Sequence, residues 1–433
     1  MVRRFFLCAY VLCACLAVPS LAGAVKGEAV ASLDEVVVTS SRVEETKREV
    51  TSNITVVGEE EITQSAARDL GELLVEENIG HFQNYPGTLT SVGLRGFQTE
   101  THGNDLEGKV LILLNGHRAG TGNAAKIMTE NIRRVEIIRG PASVQYGSAA
   151  IGGVINVITK QGEGKPSGFV LGKLGSYGFE EEAAGMSGQV GRFDFSGAIR
   201  RSTQDDYDTA DGDDYQNTGY HEKLSGSLNL GYAFLPHNRI GVIYTGFDAD
   251  EVGSPSYLSQ NDLDDYNDKS HESVDFVYDG GTGNGLFTWK ARYFLGEDTN
   301  TWYDPTGSDP TGWDTGGSST TETDQQGTQA QVTWSPGQYS LTAGLDWVNY
   351  EIDSDRDPTK TEYNNPSYFL LGKARFLDDR LILSSGARYD EYEVEVKQGQ
   401  GGSEDDENMT PRLGLAYFLL DNVKLRANYG QGF

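Results

Sequence analysis

Six aspartates fall within ten residues, Asp205, Asp206, Asp208, Asp211, Asp213 and Asp214. Carboxylates this dense in a polar loop supply the oxygen ligands that Ca²⁺ takes. The same run also reads as a solvated face of repelling charges. Asp262, Asp264, Asp265 and Asp268 follow in a second acidic stretch. The histidines, His81, His102, His117, His221, His237 and His271, are scattered singly and form no metal-ligand spacing. No Gly-x-Ser-x-Gly elbow and no phosphate-cradling glycine loop occurs. The chemistry on offer is recognition, so no enzyme and no required cofactor is expected, with Ca²⁺ in the loops as the one candidate ion.

Something must hold those loops in place. The 433 residues carry 35 Lys plus Arg against 64 Asp plus Glu, a net charge of −29. Such a balance argues against a nucleic-acid partner, which needs clustered cations. Aromatics at 10%, with 22 Tyr, separate the chain from disordered acidic sequences. Arg3-Arg4, an apolar run from Phe5 to Val18 and Ala22-Gly23-Ala24 describe a signal peptide over 1–24. Its removal takes all three cysteines, Cys8, Cys13 and Cys15, and predicts an exported chain without disulfides. No later stretch offers 18 consecutive apolar residues, so no membrane-spanning helix is predicted.

The pattern changes near residue 165. Over 51–163, short apolar runs such as Ile54–Gly58 and Val110–Leu114 alternate with helical spacing at Ile62–Leu74, which predicts a small α+β domain. From 164 to 433 the period is two. Leu224, Gly226, Leu228, Leu230, Tyr232 and Phe234 share one face, and Ser225, Ser227, Asn229, Gly231 and Ala233 the other. Lys290, Arg292, Asp346, Arg388 and Asp390 lie on the faces opposite apolar ones, as a wet lumen requires and a sandwich core does not. Tight turns at 235–238, 335–337, 377–380 and 420–422 alternate with long acidic loops at about 204–219, 248–268, 300–321, 353–365 and 398–409. That asymmetry is the layout of a transmembrane β-barrel.

The block Ile132 to Lys160, with Arg139-Gly140-Pro141 and Gly152-Gly153 at its turns, closely resembles the plug domain of TonB-dependent outer-membrane transporters. Val92-Gly93-Leu94-Arg95-Gly96-Phe97 is similar to an earlier plug motif, and Asp34-Glu35-Val36-Val37-Val38-Thr39 to the TonB box. The resemblance covers about 34 to 433. It implies a mainly β fold, a small α+β plug domain inside an antiparallel transmembrane β-barrel, in the outer membrane of a Gram-negative bacterium. It divides the chain into a leader at 25–50 carrying the box, a plug at 51–163 and barrel strands at 164–433. The implied partners are TonB, outer-membrane lipid and a metal chelate, a ferric siderophore first and cobalamin second. A non-transporting surface barrel is the third reading.

Carried over residue by residue, Asp34 to Thr39 engage TonB, and Arg95 and Arg139 lock the plug to barrel acids. His81, Phe82, Tyr85, Gln98 and His102 form the plug apex towards the ligand. Tyr257, Trp302 and Trp313 serve either as binding platforms or as an aromatic belt. In a cobalamin-type relative Ca²⁺ orders the early loops, which returns to the aspartates at 205–214. About 13 strands are expected after residue 165, whereas a plugged barrel of this kind takes about 22. The sequence therefore reads as the N-terminal part of such a barrel, a fragment or a truncated gene.

Overall fold

The computed structural model describes residues 37–38, 42–85, 88–101, 105–208, 210, 212, 214–215, 217–254, 264–305, 316–420 and 422–433. The signal-peptide expectation lies outside them.

The plug is built on a five-stranded sheet of β1 (Asn53–Gly58), β5 (Val110–Leu114), β6 (His117–Arg118), β7 (Ile132–Arg139) and β8 (Gly153–Thr159). Their order is β1-β7-β8-β5-β6, with β8 antiparallel to β7 and parallel to β5. Both faces of β5 and β8 are apolar because both are covered. Ile112, Leu114, Ile155 and Val157 pack on one side with Leu70, Leu73 and Leu74, while Leu111, Leu113 and Val154 meet Val50 and Ile54 on the other. A smaller sheet joins β2 (His81–Tyr85), β3 (Leu89–Leu94) and β4 (Phe97–Gln98).

The helical spacing over Ile62–Leu74 resolves into two helices, α1 (Glu59–Gln64) and α2 (Leu70–Glu76). The backbone is already extended at Ser65, and Asp69 restarts the helix by accepting the Glu72 amide at 2.9 Å. A third helix, α3 (Ser143–Tyr146), follows the Gly140-Pro141 turn.

Thirteen strands make a separate, larger sheet, each antiparallel to the next in chain order. They are β9 (Ser167–Leu174), β10 (Glu180–Val190), β11 (Phe193–Gln204), β12 (Tyr220–Leu235), β13 (Asn238–Gly253), β14 (Tyr266–Gly281), β15 (Phe287–Asp304), β16 (Gly317–Trp334), β17 (Tyr339–Ser354), β18 (Lys360–Phe376), β19 (Leu381–Gln398), β20 (Ser403–Leu420) and β21 (Val423–Gly430). The loops expected at 353–365 and 398–409 are shorter than their sequence suggested. Strands β18 and β20 begin at Lys360 and Ser403, so polar residues there extend the ladder beyond the apolar band.

Outward faces near the short turns are apolar and aromatic, as at Phe287, Tyr293 and Leu295 on β15, Val332 and Trp334 on β16, and Leu341 and Leu345 on β17. This band suits hydrocarbon about 25 Å thick. Directly above it on the same face lies a row of acids in strict register. Glu272, Glu297, Asp324, Glu351, Glu362 and Glu395 stand opposite one another across β14 to β19. Lys397 lies 2.9 Å from Glu362 and Lys360 pairs with Glu351, so among the described residues the cations paired with the row sit at its β17–β19 end.

Candidate functional site: the leader and the plug–barrel seam

Val37–Val38, inside the predicted box, pair antiparallel with Glu45–Thr46. Asp34, Glu35, Val36 and Thr39 lie outside the described residues. The chain then turns through Arg42, at φ 62°, and inserts its side chain between plug and barrel. Arg42 grips Asp346 of β17 with two parallel bonds, Nη1 to Oδ1 at 2.7 Å and Nη2 to Oδ2 at 2.6 Å. Its Nε donates to the carbonyl of Gln145 in α3, and its guanidinium lies 4.6 Å from the Phe369 ring centroid. Arg388 of β19 donates to the same Asp346 at 2.6 Å and to Asp390 at 2.9 Å. Two guanidiniums and two carboxylates thus form one enclosed network.

Further along, an acidic leader meets a basic rim. Lys373 pairs with Glu45 and lies 3.1 Å from Glu49, and Arg375 reaches Glu49 at 3.0 Å. Burial alone would raise the Glu49 carboxyl, but the Lys373 and Arg375 charges hold it below its ordinary range. Lumenal side chains of β21 hold the leader backbone, Lys424 donating to Val50 O at 2.6 Å and Arg426 to Ser52 O at 2.7 Å.

The plug body is seated the same way. Lys126 is fully enclosed, its Nζ 2.8 Å from Asp298 of β15 and 3.1 Å from the Ser270 carbonyl. Loss of water pushes the Lys126 ammonium down, and Asp298 pulls it back up. His117 Nε2 lies 3.0 Å from Asp275, with its ring stacked on Phe294 at 4.5 Å, so this histidine is a buried seam residue. Arg200 of β11 pairs with Glu130 and donates to the Arg68 carbonyl at 2.6 Å.

Asp69 heads α2 in a polar cavity of about 340 Å³ shared with Arg68, Tyr220 and Lys223. Withdrawal from water and the Glu72 charge push its carboxyl up to about 6. A carboxyl raised in the fold binds protons more tightly there than in the unfolded chain. Its contribution is therefore complete below about pH 4 and is lost as pH rises through about 6. Asp69→Asn keeps the helix cap and removes the titration. The melting midpoint of this variant relative to the native chain is expected to rise between about pH 4 and pH 7; a pH-independent difference would refute the assignment.

The predicted locking arginines sit elsewhere. Arg95, at φ 55° in the β3–β4 turn, places its guanidinium against Gly140, whose φ of 101° and lack of a Cβ make the room. Arg139 donates to Thr55 Oγ1 within the plug. Among the described residues neither is paired with a barrel carboxylate. Among the described residues, Arg42 and Lys126 are the leader and plug cations seen paired with barrel aspartates, and sequence reasoning missed both. Arg42 was findable as the first arginine after the box, and Asp346 and Arg388 were visible as charges on a lumenal face.

At the apex His81 and Gln98 are exposed, Phe82 packs against the plug core, and the Tyr85 side chain and His102 lie outside the described residues. In the aspartate loop Asp206 accepts the amides of Thr218 at 2.6 Å and Gly219 at 2.8 Å. These bonds hold its carboxyl low although burial opposes them. Asp205 and Asp208 are exposed, while Asp211, Asp213 and the Asp214 side chain are outside the described set, as are Tyr257 and Trp313. Among the described residues the carboxylates that converge within 4.8 Å are Glu297, Glu322 and Asp324, in and beside the outward row.

Residues 46–154 match the family model for the TonB-dependent receptor plug domain, and residues 356–433 that for the TonB-dependent receptor-like β-barrel. The chain belongs to the TonB-dependent receptor family. The fold agrees: the ferric yersiniabactin uptake receptor of Yersinia pestis superposes with a TM-score of 0.69 at 17% identity, over 88% of this chain and 64% of that one. Among curated relatives, a vitamin B12 transporter of Photobacterium profundum is 34% identical over 166 residues, 37% of this chain and 26% of its own length. The ferric enterobactin receptor of Pseudomonas aeruginosa is 22% identical over 98% of this chain, which spans 64% of that receptor. The TonB-dependent receptor described here is thus an outer-membrane protein, and its thirteen strands correspond to part of the barrels it matches.

Proposed function

We propose that this receptor takes up a scarce metal chelate, a ferric siderophore, across the outer membrane, with TonB pulling on residues 34–39 as the energy source. The reading rests above all on Arg42. Three residues beyond the box, the leader is bolted to Asp346 and to α3, so tension on the box meets both the barrel wall and the plug at this side chain. The Val37–Val38 segment has strand geometry, as strand addition to a partner sheet needs. The role is transport and not catalysis, since the seam holds its charges in pairs that a pull can separate.

Deleting residues 34–39 should abolish uptake and leave ligand binding to cells intact. Uptake that survives the deletion would remove the energised mechanism. Cobalamin is the second reading, favoured by the 34% and 36% identity to vitamin B12 transporters over 166 and 154 residues. Binding of a ferric siderophore and of cyanocobalamin to the same purified receptor separates the two. We also infer that Ca²⁺ bound by the loop aspartates raises ligand affinity. Isothermal titration giving equal affinity with and without chelator would exclude it.

A further inference from the structure

A cavity of about 220 Å³ lies between plug and wall near the short-turn end of the barrel. Six cationic side chains reach its lining: Arg42, Arg133, Arg134, Arg239, Lys290 and Arg292. Two carboxylates share it, Glu44 of the leader and Asp279 of β14. Most of these cations are matched. Arg42 has Asp346, Arg133 lies 2.6 Å from Glu163, Arg134 2.8 Å from Glu136 and Arg239 2.6 Å from Asp194. Lys290 has only a loose contact with Glu44 at 3.7 Å, besides Asp279 opposite it on β14. Arg292, two residues along the same face of β15, has its Nη1 buried with no hydrogen-bond partner. Asp275, on the neighbouring strand β14, counters the Arg292 charge, yet a buried guanidinium nitrogen without an acceptor is costly, so the recess lacks an oxygen acceptor at this point.

Glu44 is the detachable member. It is carried by the leader beside Arg42, so a pull that frees Arg42 also withdraws this carboxylate from Lys290. We propose that the cavity is an oxyanion site on the path between plug and barrel, held at rest by the Glu44 carboxylate and opened to an anionic group of the transported ligand when the leader leaves. The pull is taken from the energised-transport reading above; the site itself is a property of the resting fold. Planar guanidinium and ammonium donors in one recess suit carboxylate, sulfonate or catecholate oxygens. The ligand class that follows is an anionic chelate.

Inorganic sulfate serves as the probe, measured by equilibrium dialysis against the whole chain in detergent micelles. Glu44→Gln is expected to bind sulfate about fivefold more tightly than the native chain, and adding Arg292→Gln should abolish the gain. Lys290→Gln gives an independent removal of charge should the arginine variant fail to assemble, with heat-modifiable gel mobility reporting the folded barrel. Equal sulfate binding by the native chain, Glu44→Gln and the double variants would overturn the proposal. The two ideas fail separately. Uptake surviving deletion of 34–39, with sulfate binding tightened by Glu44→Gln, would remove the pull and keep the anion site. Uptake lost on deletion, with sulfate binding flat across variants, would remove the site and keep the transport.

Discussion

Asp346→Ala is expected to release the leader from the barrel. The carboxylate serves Arg42 through two bonds and Arg388 through a third, all enclosed between β17, β19 and α3. Removing it leaves two buried guanidiniums facing each other, and breaking a buried pair costs about 3–5 kcal/mol. Arg388 belongs to the strand and stays where it is. Arg42 belongs to a segment that can leave, so the strain is relieved by undocking, and the undocked population should rise by about 10²-fold or more. Trypsin, which cuts after Arg42, Lys47 and Arg48, reports this directly as faster cleavage of the leader. Arg42→Gln, in which trypsin still cuts after Lys47 and Arg48, should speed cleavage there while leaving the Arg388 pairs with Asp346 and Asp390 in place. Combining the two should add little, because both remove one interaction. An unchanged cleavage rate in Asp346→Ala would mean that the network does not hold the leader.

The second large effect belongs to Lys126. Lys126→Met leaves the enclosed Asp298 with the Asn300 amide at 2.9 Å and His271, 3.4 Å away, but without its ammonium partner, and removes the bonds from that ammonium to the carbonyls of Ser270 and Thr299. A loss of about 3–5 kcal/mol in the seating of the plug is expected, seen as a lowered melting midpoint. The double variant Lys126→Met with Asp298→Leu should regain most of it, since an apolar pair of similar volume avoids the desolvation penalty. If the single and double variants melt alike, the pair is not what seats this part of the plug.

How much of this was written in the chain depends on the range of the interaction. The strands were legible because the period of two is local: thirteen form where about 13 were expected, with β18 and β20 running further into polar sequence than the alternation suggested. The Ile132–Lys160 block was legible for the same reason, its two strands and short helix being closed by adjacent glycine turns. The seam was not. Arg42 and Asp346 are 304 positions apart, and Lys126 and Asp298 are 172 apart. Nothing in either neighbourhood names the other, because register fixes which lumenal residue sits beside which plug residue. The break at 65–69 was missed because apolar spacing continued through it, and the capping aspartate outweighed the spacing.

The acidic row across β14 to β19 acts as a waterline. To sink by one register step the barrel would have to carry six side-by-side carboxylates into hydrocarbon together, and to rise by one it would lift its aromatic outer face into water. Depth in the bilayer is thereby set by the fold and not by whatever grips the chain from below. On the energised-transport reading proposed above, a puller working on the leader would have a fixed anchorage, and its stroke would go into displacing the leader within the barrel.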